Sequence, residues 1–279
     1  MPTTGTCYSS AARTADSLEK LREAVTTLER LNASGWNNSE VRTRLSVTYG
    51  YLALVLRLGT PVAGVVPDLK AAVEMQRKAI ALDESLATAA PADTALQRQV
   101  MIDTMNLGEI LGQLGDRGAA LDQLRQGLAR AEQLARSDAA NLQAHSDFAW
   151  ASYTLGALLA KDGATDEAFV LLGRAARLLE PVVAADAANV NTRSHVASNS
   201  EGLGQAHVAL ASNRSLAHDA RLGHWREAKG FQDSYVFWKE MRDKGITTGA
   251  DAARPEALAL EIAKCDAALG AGPTTRERR

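Results

Sequence analysis

The dipeptide Leu107-Gly108 returns as Leu155-Gly156 and again as Leu203-Gly204, each time after 48 residues. Gly115 with Gly163, Ala120 with Ala168, Leu124 with Leu172 and Asn141 with Asn189 keep the same interval, and Asp138-Ala-Ala-Asn141 reappears whole as Asp186-Ala-Ala-Asn189. A looser copy runs from about Ser39 to Asp93, with Ala90-Pro91-Ala92-Asp93 in the place of that tetrapeptide. One coincidence carries no weight, but an interval shared by several positions marks a repeated unit. Units of this kind must stack, because none can cover its own apolar face.

Each repeat reads as two helices. Val100, Leu107, Leu111 and Leu114 share a face at spacings of seven, four and three, and Gly115-Asp116 then breaks the pattern, with Asp116 as the expected N-cap. Ala120, Leu121, Leu124, Leu128 and Leu134 form the stripe of the second helix. The next repeat follows with Phe148, Leu155 and Leu159, a break at Gly163, and Thr165 as the expected cap before Asp166-Glu167. The composition agrees: 52 alanines and 35 leucines among 279 residues favour helix throughout, against 21 glycines and 7 prolines.

These residues resemble the tetratricopeptide repeat, in which a Leu-Gly in the first helix meets a small residue in the second. The resemblance is carried by Thr104-x2-Leu107-Gly108-x2-Leu111 with Ala120-x3-Leu124, and by Ser152-x2-Leu155-Gly156-x2-Leu159 with Ala168-x3-Leu172. It implies close helix crossings at Gly108 and Gly156, with Ala120 and Ala168 filling the facing notch. The chain departs from the family in several ways. Thr48, Thr104, Ser152 and Ser200 stand where the family has Trp, Val55, Leu111, Leu159 and His207 where it has Tyr, and the interval is 48 rather than about 34. The excess implies helices longer by roughly two turns each. The expected fold is an all-α, right-handed solenoid of antiparallel helix hairpins. A half-unit at 16–35 precedes repeats at about 39–93, 94–141, 142–189 and 190–247. A capping helix at 248–270 follows, with a frayed N-terminus expected at 1–15 and a disordered tail at 271–279.

A second resemblance covers about fifty C-terminal residues. Trp225-Arg-Glu-Ala-Lys229, Tyr235-Val-Phe-Trp238, Gly245, Gly249-Ala-Asp251-Ala-Ala-Arg-Pro255 and Glu261-Ile-Ala-Lys-Cys265-Asp look like the ending of the C-terminal repeat region of some bacterial serine/threonine protein kinases. It implies a regulatory or sensor arm, since the chain carries no glycine-rich loop with its lysine, no HRD and no DFG. The helix expected over Trp225 to Lys244 places Phe231, Tyr235 and Trp238 on one face, against Leu258, Ile262, Cys265 and Leu269 of the last helix.

Charge and motifs narrow the function. With 31 basic and 33 acidic residues the net charge is -2, which gives no electrostatic case for nucleic acid or an anionic membrane. Cys7 and Cys265 are too few for a disulfide framework or a structural zinc site. The longest apolar run, Tyr49 to Leu56, is far short of the roughly 20 residues of a membrane span. No signal peptide is visible, and the expected setting is cytoplasmic. No HExxH, CxxC, GxSxG or P-loop is present, so neither catalysis nor a cofactor is expected.

The expected activity is non-catalytic protein–protein interaction, with a peptide or partner helix held on the outward face of the first helices. Binding of a small molecule is an alternative, and self-association is compatible with the fold. Along that face the spacing predicts a groove of Arg42, Ser46, Tyr49 and Ala53, then Arg98, Ile102, Met105 and Glu109. The third repeat adds Ser146, Trp150, Tyr153 and Ala157, and the fourth Ser194, Ser198, Glu201 and Gln205. Tyr49, Met105, Trp150 and Tyr153 are the expected anchors. Arg42 and Arg98, in equivalent places, suit a carboxylate or phosphate. For the aromatics the alternative is that the extra helix length packs there.

Overall fold

The computed structural model describes residues 4–35, 38–59, 66–247 and 249–270, with side chains from residue 18 onward except at 249 and 250. Among the described residues the chain is all-α, with eleven α-helices and no strand. It divides into two compact units, residues 1–134 and 135–279. The expected tail at 271–279 lies outside the described residues.

In the N-terminal unit, α1 (Thr4–Ala33), α2 (Ser39–Leu58), α3 (Leu69–Ala89) and α4 (Thr94–Leu114) each pack on the next. Helix α5 (Arg117–Ser137) runs across the boundary. The backbone of α1 is helical from Thr4, ahead of the start expected at residue 16. The C-terminal unit holds α6 (Leu142–Lys161), α7 (Thr165–Ala185), α8 (Val190–Ser212), α9 (His218–Glu227), α10 (Phe231–Asp243) and α11 (Arg254–Gly270). There α6 and α7 form a hairpin, α8 packs on both, and α9 and α10 pack on α8. Within each unit the helices stack in chain order, as a solenoid of hairpins requires.

The repeated residues have identifiable local work. In Asp138-Ala-Ala-Asn141 the Asp138 carboxylate accepts from Ala140 N at 3.1 Å and the Asn141 side chain accepts from Ala144 N at 3.1 Å, making an Asx turn followed by an N-cap. Asp186 and Asn189 repeat this with Ala188 N and with Asn191 N and Thr192 N. Asp116 caps α5 through Ala119 N at 3.3 Å. Thr165, by contrast, is the first residue of α7. Its N-cap is Ala164, which makes no side-chain bond, and Asp166 and Glu167 in the first turn face the helix dipole instead. Gly115 and Gly163 end their helices at φ +90° and +80°, where a Cβ is disfavoured.

The interval of 48 also places two close helix crossings. A Cβ on Gly108 would lie 2.7 Å from the Leu124 side chain, and one on Gly156 would lie 2.9 Å from Leu172. The leucine sixteen residues on fills the notch in both repeats, while Ala120 and Ala168, expected there, are buried beside it. The fourth repeat departs: a Cβ on Gly204 would meet the Phe231 ring at 2.7 Å. The helix expected over Trp225 to Lys244 is accordingly broken by a 3₁₀ turn at Ala228–Gly230, with Ala228 fully buried. Phe231, Phe237, Trp238 and Met241 then form a core with Leu258 and Cys265, while Tyr235 and Ile262 pack half-buried at its edge.

Candidate functional site

Helix α2 is apolar on two faces. Leu45, Tyr49, Leu52 and Leu56 point into the N-terminal unit and are buried. Val47, Tyr51, Leu54 and Leu58 form a second stripe, spaced four, three and four, and are 41, 59, 45 and 45% exposed. A row of this spacing on one helix is the half of a helix–helix seam that a partner would complete.

Beside the stripe lies a cavity of about 400 Å³ between α2, α3 and α4. Val47, Tyr51 and Leu54 form one wall, and Ile102, Asn106 and Ile110 of α4 the other. The floor is polar. Asp103, 4% exposed, accepts from Gln76 Nε2 at 2.7 Å on Oδ1 and from Gln99 Nε2 at 2.9 Å on Oδ2. Gly50 leaves the floor open, since a Cβ there would stand 3.7 Å from Asp103 Oδ1. At one end Arg57 reaches across to Glu109 at 2.7 Å and donates to Gln113 at 3.2 Å.

Asp83 lies buried behind Asp103, and its Oδ2 has no donor facing it. Burial first, and then the hydrogen bond with Asp103, push its carboxyl up to about 8, with Ser46 opposing. Asp83 therefore keeps its proton at neutral pH and can donate it toward Asp103.

The expected groove residues fall elsewhere in large part. Tyr49 is 5% exposed: its hydroxyl donates to Glu29 of α1 at 2.5 Å, Lys78 lies over its ring, and burial followed by Glu29 holds the phenol above its ordinary range. Met105 is fully buried against Gly127 of α5. Both belong to the core and not to an open face. Arg42 is half-buried and donates to Ser85 at 3.0 Å, and Arg98 is half-buried and engaged. Glu109 is committed to Arg57. Ser46 and Ile102 alone of the expected first and second rows line the cavity.

In the C-terminal unit Trp150 is half-buried on α6. Tyr153 packs against Ala149, Ala175 and Leu179 and lies 5.8 Å from the His195 ring. His195 Nδ1 is 3.0 Å from Ser146 Oγ, and burial lowers its pKa against the opposing charge of Asp147. Glu201 pairs with Arg254 of α11 at 3.0 Å and accepts from Gln205, while Arg254 lies 4.0 Å over the Trp238 ring. These two residues hold the closing helix to α8. His207 and His224 meet at 3.1 Å through their Nδ1 atoms, with Phe169 edge-on to His207. Among the described residues no group of side chains has the make-up of a metal site, and no helix is long and apolar enough to cross a membrane.

No family model matches the chain, and no curated protein matches it. Its structure is similar to the crystal structure of BtubC (BKLC) from P. vanneervenii, with a TM-score of 0.51 and 13% identity over 94% of this chain and 95% of that one. At that identity the likeness concerns the fold alone.

Proposed function

We propose that this chain is a non-catalytic binding module of the tetratricopeptide type, which holds a partner protein's helix along α2 over the cavity between α2 and α4. The observation that carries the reading is the exposed stripe of Val47, Tyr51, Leu54 and Leu58 beside that cavity. Four large apolar side chains in one row on a surface helix are costly to leave in water, and helix-in-groove recognition uses this spacing. The Gly108–Leu124 and Gly156–Leu172 crossings support the tetratricopeptide relation, as does the hairpin order.

The test compares wild type with a Tyr51→Ser/Leu54→Ser variant of confirmed helicity in affinity capture with mass spectrometry, followed by amide exchange on the captured complex. Proteins retained by wild type, lost by the variant and protecting residues 47–58 are the expected result. An identical set on both proteins, or protection elsewhere only, overturns the groove.

The cavity's volume, within the range of small-molecule sites, favours a second reading as a metabolite-binding domain. A thermal-shift response to a metabolite that Gly50→Leu abolishes would establish it. The kinase-arm reading rests on the C-terminal resemblance. A native product well above 30 kDa on an immunoblot is its expected signature, and one near 30 kDa refutes it.

A further inference from the structure

The geometry points to a lysine on the partner helix, seated with its ammonium on Asp103 while the residues a turn to either side pack on Val47, Tyr51, Leu54 and Leu58. The inference rests on the groove reading above and names the chemistry that selects the partner.

Charge is the first argument. The cavity lining carries two charged side chains, Asp103 and Arg57, and Arg57 is already neutralised by Glu109. The donors facing Asp103 are all neutral, the amides of Gln76 and Gln99 and the Asp83 carboxyl, and among the described residues no cation pairs with it. A carboxylate this far from water is expensive to leave without an opposite charge. The open side of Asp103 is the cavity.

Shape is the second argument. A lysine stem is apolar and its head compact, so the stem lies along Leu54, Ile102 and Ile110 while the ammonium reaches the floor. Asp103 accepts one amide on each oxygen, which leaves single acceptor positions rather than the free paired edge that an arginine fork requires. A point charge fits that remainder better than a guanidinium. The missing Cβ at Gly50 keeps the path open.

The experiment is a display selection of random helical peptides of about 20 residues on the full chain. Selected peptides are then made with a fluorophore and titrated by anisotropy. The expected winners carry apolar residues spaced three and four apart with one central lysine. Lys→Gln in the peptide, or Asp103→Asn in the protein, then weakens binding about tenfold or more, and the two together cost no more than either alone. The peptide-side substitution leaves the protein untouched, so the result does not depend on the folding of the Asp103 variant. Winners that need Tyr51 and Leu54 but tolerate Lys→Gln overturn the lysine and leave the groove standing. Winners indifferent to both sets, or no winners at all, overturn both.

Discussion

At the scale of single residues, small side chains and buried acids behave in opposite ways. Gly156 has no room: Leu172 stands where a side chain would begin, so Gly156→Leu is expected to destabilise by about 1–3 kcal/mol or more in urea unfolding. Gly173 lies in the middle of α7 with nothing nearer its Cβ position than an Arg177 nitrogen at 3.7 Å, so Gly173→Ala should stabilise by about 0.5–1 kcal/mol. If both substitutions destabilise alike, the crossing at Gly156 is looser than its distances indicate. Asp83 gives a pH signature. Its folded pKa lies above the unfolded value, so the folded chain holds the extra proton between about pH 4 and 8. Its contribution is full below the unfolded pKa and is lost as pH rises through that window. Asp83→Asn, which keeps a donor toward Asp103, should flatten that slope and raise the denaturation midpoint at pH 8. A slope unchanged in the variant would assign the proton to another group.

At the scale of the element, α2 shows what periodicity reveals and what it hides. The hairpins, the breaks at Gly115 and Gly163 and the cap at Asp116 were legible because each is a local event with its own residue chemistry. The caps at Asn141 and Asn189 showed only as a repeated tetrapeptide, and Thr165, the expected cap of α7, yields that place to Ala164. The face of α2 was not legible. Tyr49 to Leu56 is apolar almost without interruption, so a stripe at 45, 49, 52 and 56 and another at 47, 51, 54 and 58 both fit a helical period, and only the positions of α1 and α3 decide between them. The expected outward row of 42, 46, 49 and 53 borders the first stripe, shares Tyr49 with it and lies largely inside. Asp103 had a readable signal, an acid set in Val100-Met101-Ile102, whereas its neighbours Gln76 and Asp83 come from another helix, which no spacing within α4 announces. The two stripes make a direct prediction. Leu52→Ala should cost about 2–5 kcal/mol, and Tyr51→Ser or Leu54→Ser should stay within about 0.5 kcal/mol in the free protein. Equal losses on both faces would mean that the outer stripe is packing rather than a binding surface.

At the scale of the whole molecule, the buried titratable groups divide by unit, and so does the response to pH. In the N-terminal unit Asp83 is raised, which makes that unit more stable as pH falls from 8 toward 5. In the C-terminal unit His195 and His207 are lowered, in both cases by burial first, with His224 adding to the effect at His207 and Glu227 opposing it. A histidine lowered on folding stabilises above its unfolded pKa and loses that contribution as pH falls, because the unfolded chain takes up the proton first. The His207–His224 contact adds to this, since two ring nitrogens 3.1 Å apart need one to accept, and double protonation leaves two donors facing each other. The units should therefore move in opposite directions over one pH interval. Amide exchange measured at pH 8 and pH 5, and corrected for intrinsic rates, is expected to show protection rising in α3 and falling in α8 on acidification. His207→Phe should remove most of the fall in α8 and leave α3 unchanged, whereas parallel changes in the two helices would show that neither set of buried groups governs the stability of its own unit.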